Sequence, residues 1–269
     1  MLGFERSNTR VWRGWPRFVK HVALLTLVCA PSASTVKATP TVHLIWEDQE
    51  RNPDLNPNVD PHVLIRKALA SYESHGYAVR LHSNTLSAQQ YPLVERYNVS
   101  TLTNGSPIRS TPSFLKRIQG SKHPLVHLAD FLRILIIWRY GGSYVDADAR
   151  LVRPNHIQRA ENTGQPLLMR SPNLKTCPLR WGCIKQNGER FYVSNGLLWN
   201  FRPRHPLMTT VLSSIEQKYR PNEWSLIGPH LLTYAFQSLQ RADQKHFWLV
   251  EWKQIWSHHP NETRLDFTE

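Results

Sequence analysis

Cysteine is scarce in this chain, with 3 in 269 residues. Cys29 lies in the basic and apolar N-terminal stretch, which leaves Cys177 and Cys183 for the folded part. Two thiolates cannot complete a tetrahedral zinc site on their own, but they can close a small disulfide loop in an oxidising compartment. Long apolar runs are also missing. The most apolar stretch, Val22 to Ala30, falls short of the roughly twenty residues that a membrane-spanning helix needs unless its flanks are recruited. Acidic residues are few, 20 against 33 Lys and Arg, for a formal net charge of +13. An excess of that size suits nucleic acid, an anionic membrane surface or a phosphate-rich ligand. However, Arg6, Arg10, Arg13, Arg17 and Lys20 all fall in the N-terminal stretch, and the remainder are scattered. No basic stripe with interleaved aromatics forms, so the sequence argues against nucleic acid as a partner. No internal repeat is visible, and no glycine-rich loop ends in lysine, which removes the phosphate cradle that nucleotidyl or phosphoryl transfer uses.

The N-terminal stretch has an order of its own. Arg10 to Lys20 is basic, Val22 to Ala30 is apolar apart from Thr26, and Pro31 to Ser34 is mostly small, as in a signal peptide. Residues 1–39 therefore read as a cleaved signal peptide or a short signal-anchor with its basic side in the cytoplasm. An arginine-rich leader nearly free of acids also fits a transit peptide. The secretory reading places the rest in the ER or Golgi lumen, either associated with the membrane through this segment as a type II protein or secreted after cleavage. Asn98, Asn104 and Asn261 each open an Asn-x-Ser/Thr sequon, which agrees with a lumenal location. Residues 40–269 suffice for one domain with a full core.

The chemistry is concentrated in one run, His127 to Asp148, HLADFLRILIIWRYGGSYVDAD. Leu128, Phe131, Leu132, Leu135, Ile136 and Trp138 recur at helical spacing, and Asp130 and Arg133, three apart, share a face of that helix. Gly141 and Gly142 supply the positive backbone dihedral that ends a helix and reverses the chain. Ser143 to Val152 then reads as a strand whose period of two puts Asp146 and Asp148 on the same side as Tyr144. Two hard oxygen ligands with no thiolate nearby suit Mg²⁺ or Mn²⁺ holding a diphosphate. A bare Asp-x-Asp is most often a solvated strand end; the upstream ion pair, double glycine and in-register tyrosine favour a metal and nucleotide site.

Taken together, His-x-x-Asp-x-x-Arg followed by Tyr-Gly-Gly-Ser-Tyr-Val-Asp-Ala-Asp resembles the core of glycosyltransferase family 32, the DXD-motif sugar transferases. That family includes inositol-phosphoceramide mannosyltransferases and shades into the α-1,4-galactosyl and α-1,4-N-acetylglucosaminyl transferases. The resemblance implies an α/β fold of the GT-A type, a mostly parallel sheet flanked by helices. It also implies a UDP- or GDP-sugar donor, Mn²⁺ or Mg²⁺, and retention of anomeric configuration. By the same resemblance Asp148 holds the metal, Asp146 contacts ribose, sugar or metal through water, and Asp130 and Arg133 orient donor hydroxyls. Tyr144 packs beside them, and Trp46, ending the strand TVHLIW, stacks on the base; an aromatic there is otherwise more often core.

Other segments fit in order. Val59 to His82 reads as a helix and a second strand, the logic of a parallel sheet. Residues 83–123 show little periodicity and read as an irregular insertion that could recognise the acceptor. Asn195 in YVSNGLLWN is placed near the sugar or acceptor by the resemblance, although Asn-Gly is equally a hairpin turn signal. Gly228 in WSLIGPHLLT opens a helix beside the donor sugar, or marks only a turn and helix start. His258 and His259 near the C-terminus offer one further metal or diphosphate contact, with a solvated pair as the alternative.

The sequence thus predicts a metal-dependent retaining transferase moving a hexose or N-acetylhexosamine to a glycan, glycolipid or glycoprotein acceptor. The alternative is a non-catalytic nucleotide-sugar or carbohydrate-binding protein on the same fold.

Overall fold

The computed structural model describes residues 39–46, 60–147, 149, 155–172, 183–186, 189–223 and 226–251. The chain enters as β1 (Thr41–Ile45), continues through α1 (Pro61–Glu73) to β2 (Ala78–His82), and reaches a two-residue β3 (Val94–Glu95). Helices α2 (Val99–Thr103), α3 (Thr111–Gln119) and α4 (Pro124–Tyr140) lead back to β4 (Gly142–Val145). Then come α5 (Asn155–Thr163), β5 (Leu167–Pro172), β6 (Ile184–Gln186), β7 (Glu189–Phe201), α6 (Pro206–Lys218), a wide helical turn at Leu226–His230, α7 (Leu231–Ser238) and β8 (Trp248–Glu251).

These strands form one sheet in the order β3-β2-β1-β4-β7-β5-β8, with β6 on β7. β1, β2, β3 and β4 pair in parallel, β5 and β8 pair in parallel, and every pairing of β7 is antiparallel. Among the described strands β7 alone therefore runs against the rest, and the mostly parallel sheet expected from the sequence is present. The chain leaves β1 toward β2 and β3 on one side, then returns through α2–α4 to β4 on the other. That reversal makes the carboxyl ends of β1 and β4 the topological switch point, the place where open α/β sheets bind ligands.

Helices cover both faces. Val42, Leu44 and Val145 pack with Ile65, Ala68 and Tyr72 of α1 and Ile157 and Ala160 of α5. On the opposite face Ile45 and Tyr144 pack with α3, α4, α6 and α7. α1 starts where Asp60 accepts from the His62 amide at 2.8 Å, with Pro61 in the first turn, a standard N-cap arrangement. α4 ends at Gly141, φ 69°, where a Cβ would sit 2.7 Å from the Phe201 carbonyl and the Pro203 ring. Positive φ and close approach both require glycine there. A Cβ on Gly142, φ 78°, would likewise sit 2.8 Å from the Thr41 carbonyl and 3.2 Å from the His43 ring.

Several expectations need correction. α4 begins at Pro124 and is buried on nearly every side, Asp130 and Arg133 included, so the ion pair lies inside the protein rather than on a free helix face. β4 ends at Val145 rather than Val152: the Ala149 amide bonds back to the Asp146 carbonyl at 3.0 Å, closing a turn just past the strand. Residues 83–123 are not irregular. They hold β3, α2 and α3, with Asn98 capping α2 and Phe114 and Ile118, four apart, burying α3; proline and polar residues between these short elements hid their periodicity. Cys183 is disulfide-bonded, and both other cysteines fall outside the described residues. The leader, Asp148, His258, His259 and Asn261 also lie outside them. Among the described residues no helix is long and apolar enough to cross a membrane.

Candidate active site

The site grows from α4, β4 and β7. One turn of α4 separates Asp130 from Arg133, and the two pair at 3.2 Å. β4 delivers Asp146 opposite them, so Arg133 Nη1 donates to Asp146 Oδ1 at 3.0 Å and to the Asn195 carbonyl at 3.0 Å. The Tyr144 hydroxyl donates to the same Asp146 oxygen at 2.9 Å, and the guanidinium lies over the Tyr144 ring, 4.7 Å from its centroid. A planar fork that bonds two carboxylates and stacks on a ring is work a lysine cannot do.

β7 supplies the other wall through a bulge. Leu168 of β5 pairs with Leu198, but the next residue, Met169, pairs with Ser194, so Asn195, Gly196 and Leu197 leave that ladder. The bulge re-aims Asn195: its side-chain amide donates to Asp130 Oδ1 at 2.6 Å while its carbonyl meets Arg133. The Gly196 carbonyl accepts from the Asp146 amide at 3.1 Å. Asn195-Gly196 is therefore no hairpin turn. It lies within a 13-residue strand, because the ladder to β5 resumes at Ser194 and the ladder to β4 runs from Leu197. A Cβ on Gly196 would sit 2.6 Å from Asp146 Oδ2.

The wide turn closes the group from above. A hydrogen bond from the Gly228 backbone reaches Asp130, and a Cβ on Gly228 would overlap Asn195 and fall 2.8 Å from Asp130 Oδ2. Asp130 is almost sealed. Burial raises its pKa to about 6, with Asp146 adding to the rise and Arg133, Asn195 and the Gly228 amide opposing it. Burial works against the charge on Arg133 too, but Tyr144, Asp146 and Asp130 more than compensate and raise its pKa. Burial also pushes the Tyr144 phenol well up. Arg133 is thus charged and Tyr144 neutral, a donor, at any physiological pH.

Asp146 differs from Asp130 in being open, with its side chain 39% exposed against 4%. Its carboxylate is the hard oxygen group that this site presents to a ligand. Among the described residues no three His, Cys, Asp or Glu gather into a cage; a Mg²⁺-like ion held by one or two carboxylates plus substrate phosphates needs none.

Of the residues singled out from the sequence, Asp130, Arg133, Tyr144, Asp146, Asn195 and Gly228 converge on this spot. Trp46 does not join them. It packs on the opposite side of the sheet with Val42, Leu44 and Leu69, and its indole N–H is buried without a partner among the described residues. Asp148 and His258 lie outside the described residues. Thr233 carried no expectation: its buried hydroxyl accepts from the Val193 amide at 3.0 Å, pinning β7 two residues before the bulge. Only its place in the WSLIGPHLLT segment hinted at it.

Comparison with known proteins bears on this arrangement. Residues 45–166 match a family model described as the glycosyltransferase sugar-binding region containing the DXD motif, and residues 200–255 match the alpha 1,4-glycosyltransferase conserved region. Over these two regions the chain is similar to the DXD-motif glycosyltransferases. The first region holds Trp46, Asp130, Arg133, Tyr144, Asp146 and Asp148, and the second holds Gly228 and Thr233. A lactosylceramide 4-alpha-galactosyltransferase from Pongo pygmaeus is 27% identical over 133 residues, 48% of this chain and 50% of that protein. An alpha-1,4-N-acetylglucosaminyltransferase from Homo sapiens is 27% identical over 105 residues, 39% of this chain and 24% of that protein. The alignments thus span half or less of each relative's length. Among solved structures the PaToxG glycosyltransferase superposes with a TM-score of 0.48 at 15% identity, covering 77% of this chain and 72% of that one.

Proposed function

We propose that this protein transfers a hexose or N-acetylhexosamine from a UDP- or GDP-sugar to a glycan, glycolipid or glycoprotein acceptor with retention of configuration. The observation that carries this reading is the carboxylate of Asp146 held open at the sheet's switch point while Arg133 and Tyr144 fix its other face. Asp148 and Asp146 are the residues that would hold Mn²⁺ or Mg²⁺, with His258 a further candidate. When bound, the metal would stabilise charge on the departing diphosphate.

The chain's own residues do the positioning. Arg133 stays charged and locked, so the field at Asp146 is set before the donor arrives and costs no reorganisation. Asp130, held by Arg133, Asn195 and the Gly228 amide, orients donor hydroxyls through Arg133 and Asn195 rather than attacking. With its oxygens already engaged, Asp130 is a poor nucleophile, and this supports same-face displacement without a covalent glycosyl-enzyme. Trapping an adduct on an Asp or Glu would end that part. The disulfide at Cys183 supports an oxidising, lumenal setting, with residues 40–269 as the catalytic domain behind the leader.

The decisive experiment incubates the full chain and an Asp148→Ala twin with Mn²⁺ and a panel of UDP- and GDP-sugars, measuring released nucleotide. Metal-dependent release from one donor, lost in the twin, is expected. Donor binding by calorimetry without release, even with candidate acceptors added, would instead favour the binding-protein reading.

A further inference from the structure

His127 opens the central run, yet the proposed chemistry does not use it. Its ring is fully buried on α4, one turn before Asp130, and both nitrogens are occupied. Nε2 lies 3.0 Å from the Glu223 carbonyl. A carbonyl only accepts, so Nε2 carries the proton and Nδ1 presents a lone pair. The Tyr219 hydroxyl donates to Nδ1 at 2.8 Å, with the Ser121 hydroxyl 3.1 Å away. Burial lowers the pKa of the ring, which keeps this neutral tautomer in place. Tyr219 is itself gripped: Arg117 lies over its ring, 5.2 Å from the centroid, and donates to the Glu216 and Tyr219 carbonyls at 2.8 and 2.9 Å.

Tyr219 and Glu223 flank the exit from α6, and Leu226 begins the wide turn whose Gly228 backbone reaches Asp130. α4 therefore holds one stretch of chain twice, with His127 at Glu223 and Asp130 at Gly228. The second hold has no slack, since a Cβ on Gly228 would overlap Asn195.

We propose that His127 is a positioning residue of the donor site: by anchoring the Glu223 carbonyl it sets how closely the Gly228 backbone seats on Asp130, and so the geometry of the Asp130, Asn195 and Arg133 network. This rests on the function proposed above for that network, and two readouts on the full chain separate the two ideas. In His127→Leu the amides of 226–230 should exchange hydrogen about tenfold faster while those of β1 and β5 keep their rates. The donor KM should rise about tenfold with kcat changed less than about threefold. His127→Gln retains an amide donor toward the Glu223 carbonyl and should recover most of both. A lower melting temperature with unchanged exchange at 226–230 and unchanged donor KM would reduce His127 to a packing role and overturn the proposal. If His127→Leu fails to fold, Tyr219→Phe, which removes only the hydroxyl, should give the same pattern at smaller amplitude, and its absence is equally decisive. Should the wild-type chain transfer no sugar, the proposed function fails while the exchange measurement still decides the role of His127.

Discussion

Gly228 shows how tightly single residues are specified here. The requirement is steric: a Cβ would overlap the Asn195 amide and press on Asp130 Oδ2. Neither neighbour can swing away cheaply, because both are buried and Asn195 donates to Asp130 at 2.6 Å. Gly228→Ala should therefore cost about 1–3 kcal/mol of stability as overpacking. Since about 1.4 kcal/mol is tenfold in a rate, kcat/KM for the donor should fall at least about tenfold through the displaced Asp130 and Asn195. Thermal melts and steady-state kinetics on the same preparation check both, and a variant with wild-type kinetics would show that the close approach is incidental to donor binding.

Among elements, β7 carries the most consequence. Its bulge is what turns Asn195 from a sheet residue into a site residue, and Thr233 holds the strand on the approach to it. Thr233→Val keeps the shape but leaves the Val193 amide without its acceptor in a buried place, which should cost about 1–3 kcal/mol. Donor KM should rise by less than about tenfold, because Arg133 and Asp130 still hold Asn195; a loss of binding as large as that expected for Gly228→Ala would show that Thr233, and not the ion pair, sets the bulge. The element level also marks where the sequence was legible. α4, the double glycine and β4 could be read because helical spacing, positive-φ glycines and alternation coincide within one short run. Asp130, Arg133, Tyr144 and Asp146 were named on that basis and Asn195 by resemblance alone, and they meet. The bulge could not be read. Asn195-Gly196 has the chemistry of a tight turn, and only the ladders to β4 and β5 on either side keep it extended. Thr233 was equally hidden, since a threonine in an apolar helix shows its purpose only when the strand it bonds is known. Trp46 went the other way: alternation with Val42 and Leu44 points it at the α1 side of the sheet, and that was stronger than its place at the strand's end.

At the scale of the whole molecule, acid should loosen the fold through a pair of histidines outside the candidate site. His43 on β1 and His82 on β2 are buried, 2.9 Å apart between Nδ1 and Nε2, with rings stacked at 5.1 Å. Burial, then each other's charge and that of Arg80, lower His43 to about 3; burial and Arg80 lower His82 to about 4. Glu95, 3.8 Å from His82 and part-exposed, does not reverse this, and Tyr140 only stacks on His43. Both groups titrate near 6.5 when unfolded. The unfolded chain therefore binds protons that the folded chain refuses, and the contribution of the pair is complete above pH 6.5 and is lost as pH falls from there toward 4. Asp130, raised to about 6, acts oppositely, since the folded state takes up a proton first. One such group against two histidines leaves a net loss of roughly 2–3 kcal/mol at pH 5, at about 1.4 kcal/mol per proton per pH unit. His205 and His127, both lowered by burial, add to the loss. Melting temperature should therefore fall between pH 7.5 and pH 5, and His43→Asn combined with His82→Asn should flatten that slope even if it lowers stability at pH 7.5. A melting temperature constant or rising toward pH 5 would mean that the pair takes up a proton within the folded state, with Glu95 moving in to meet it.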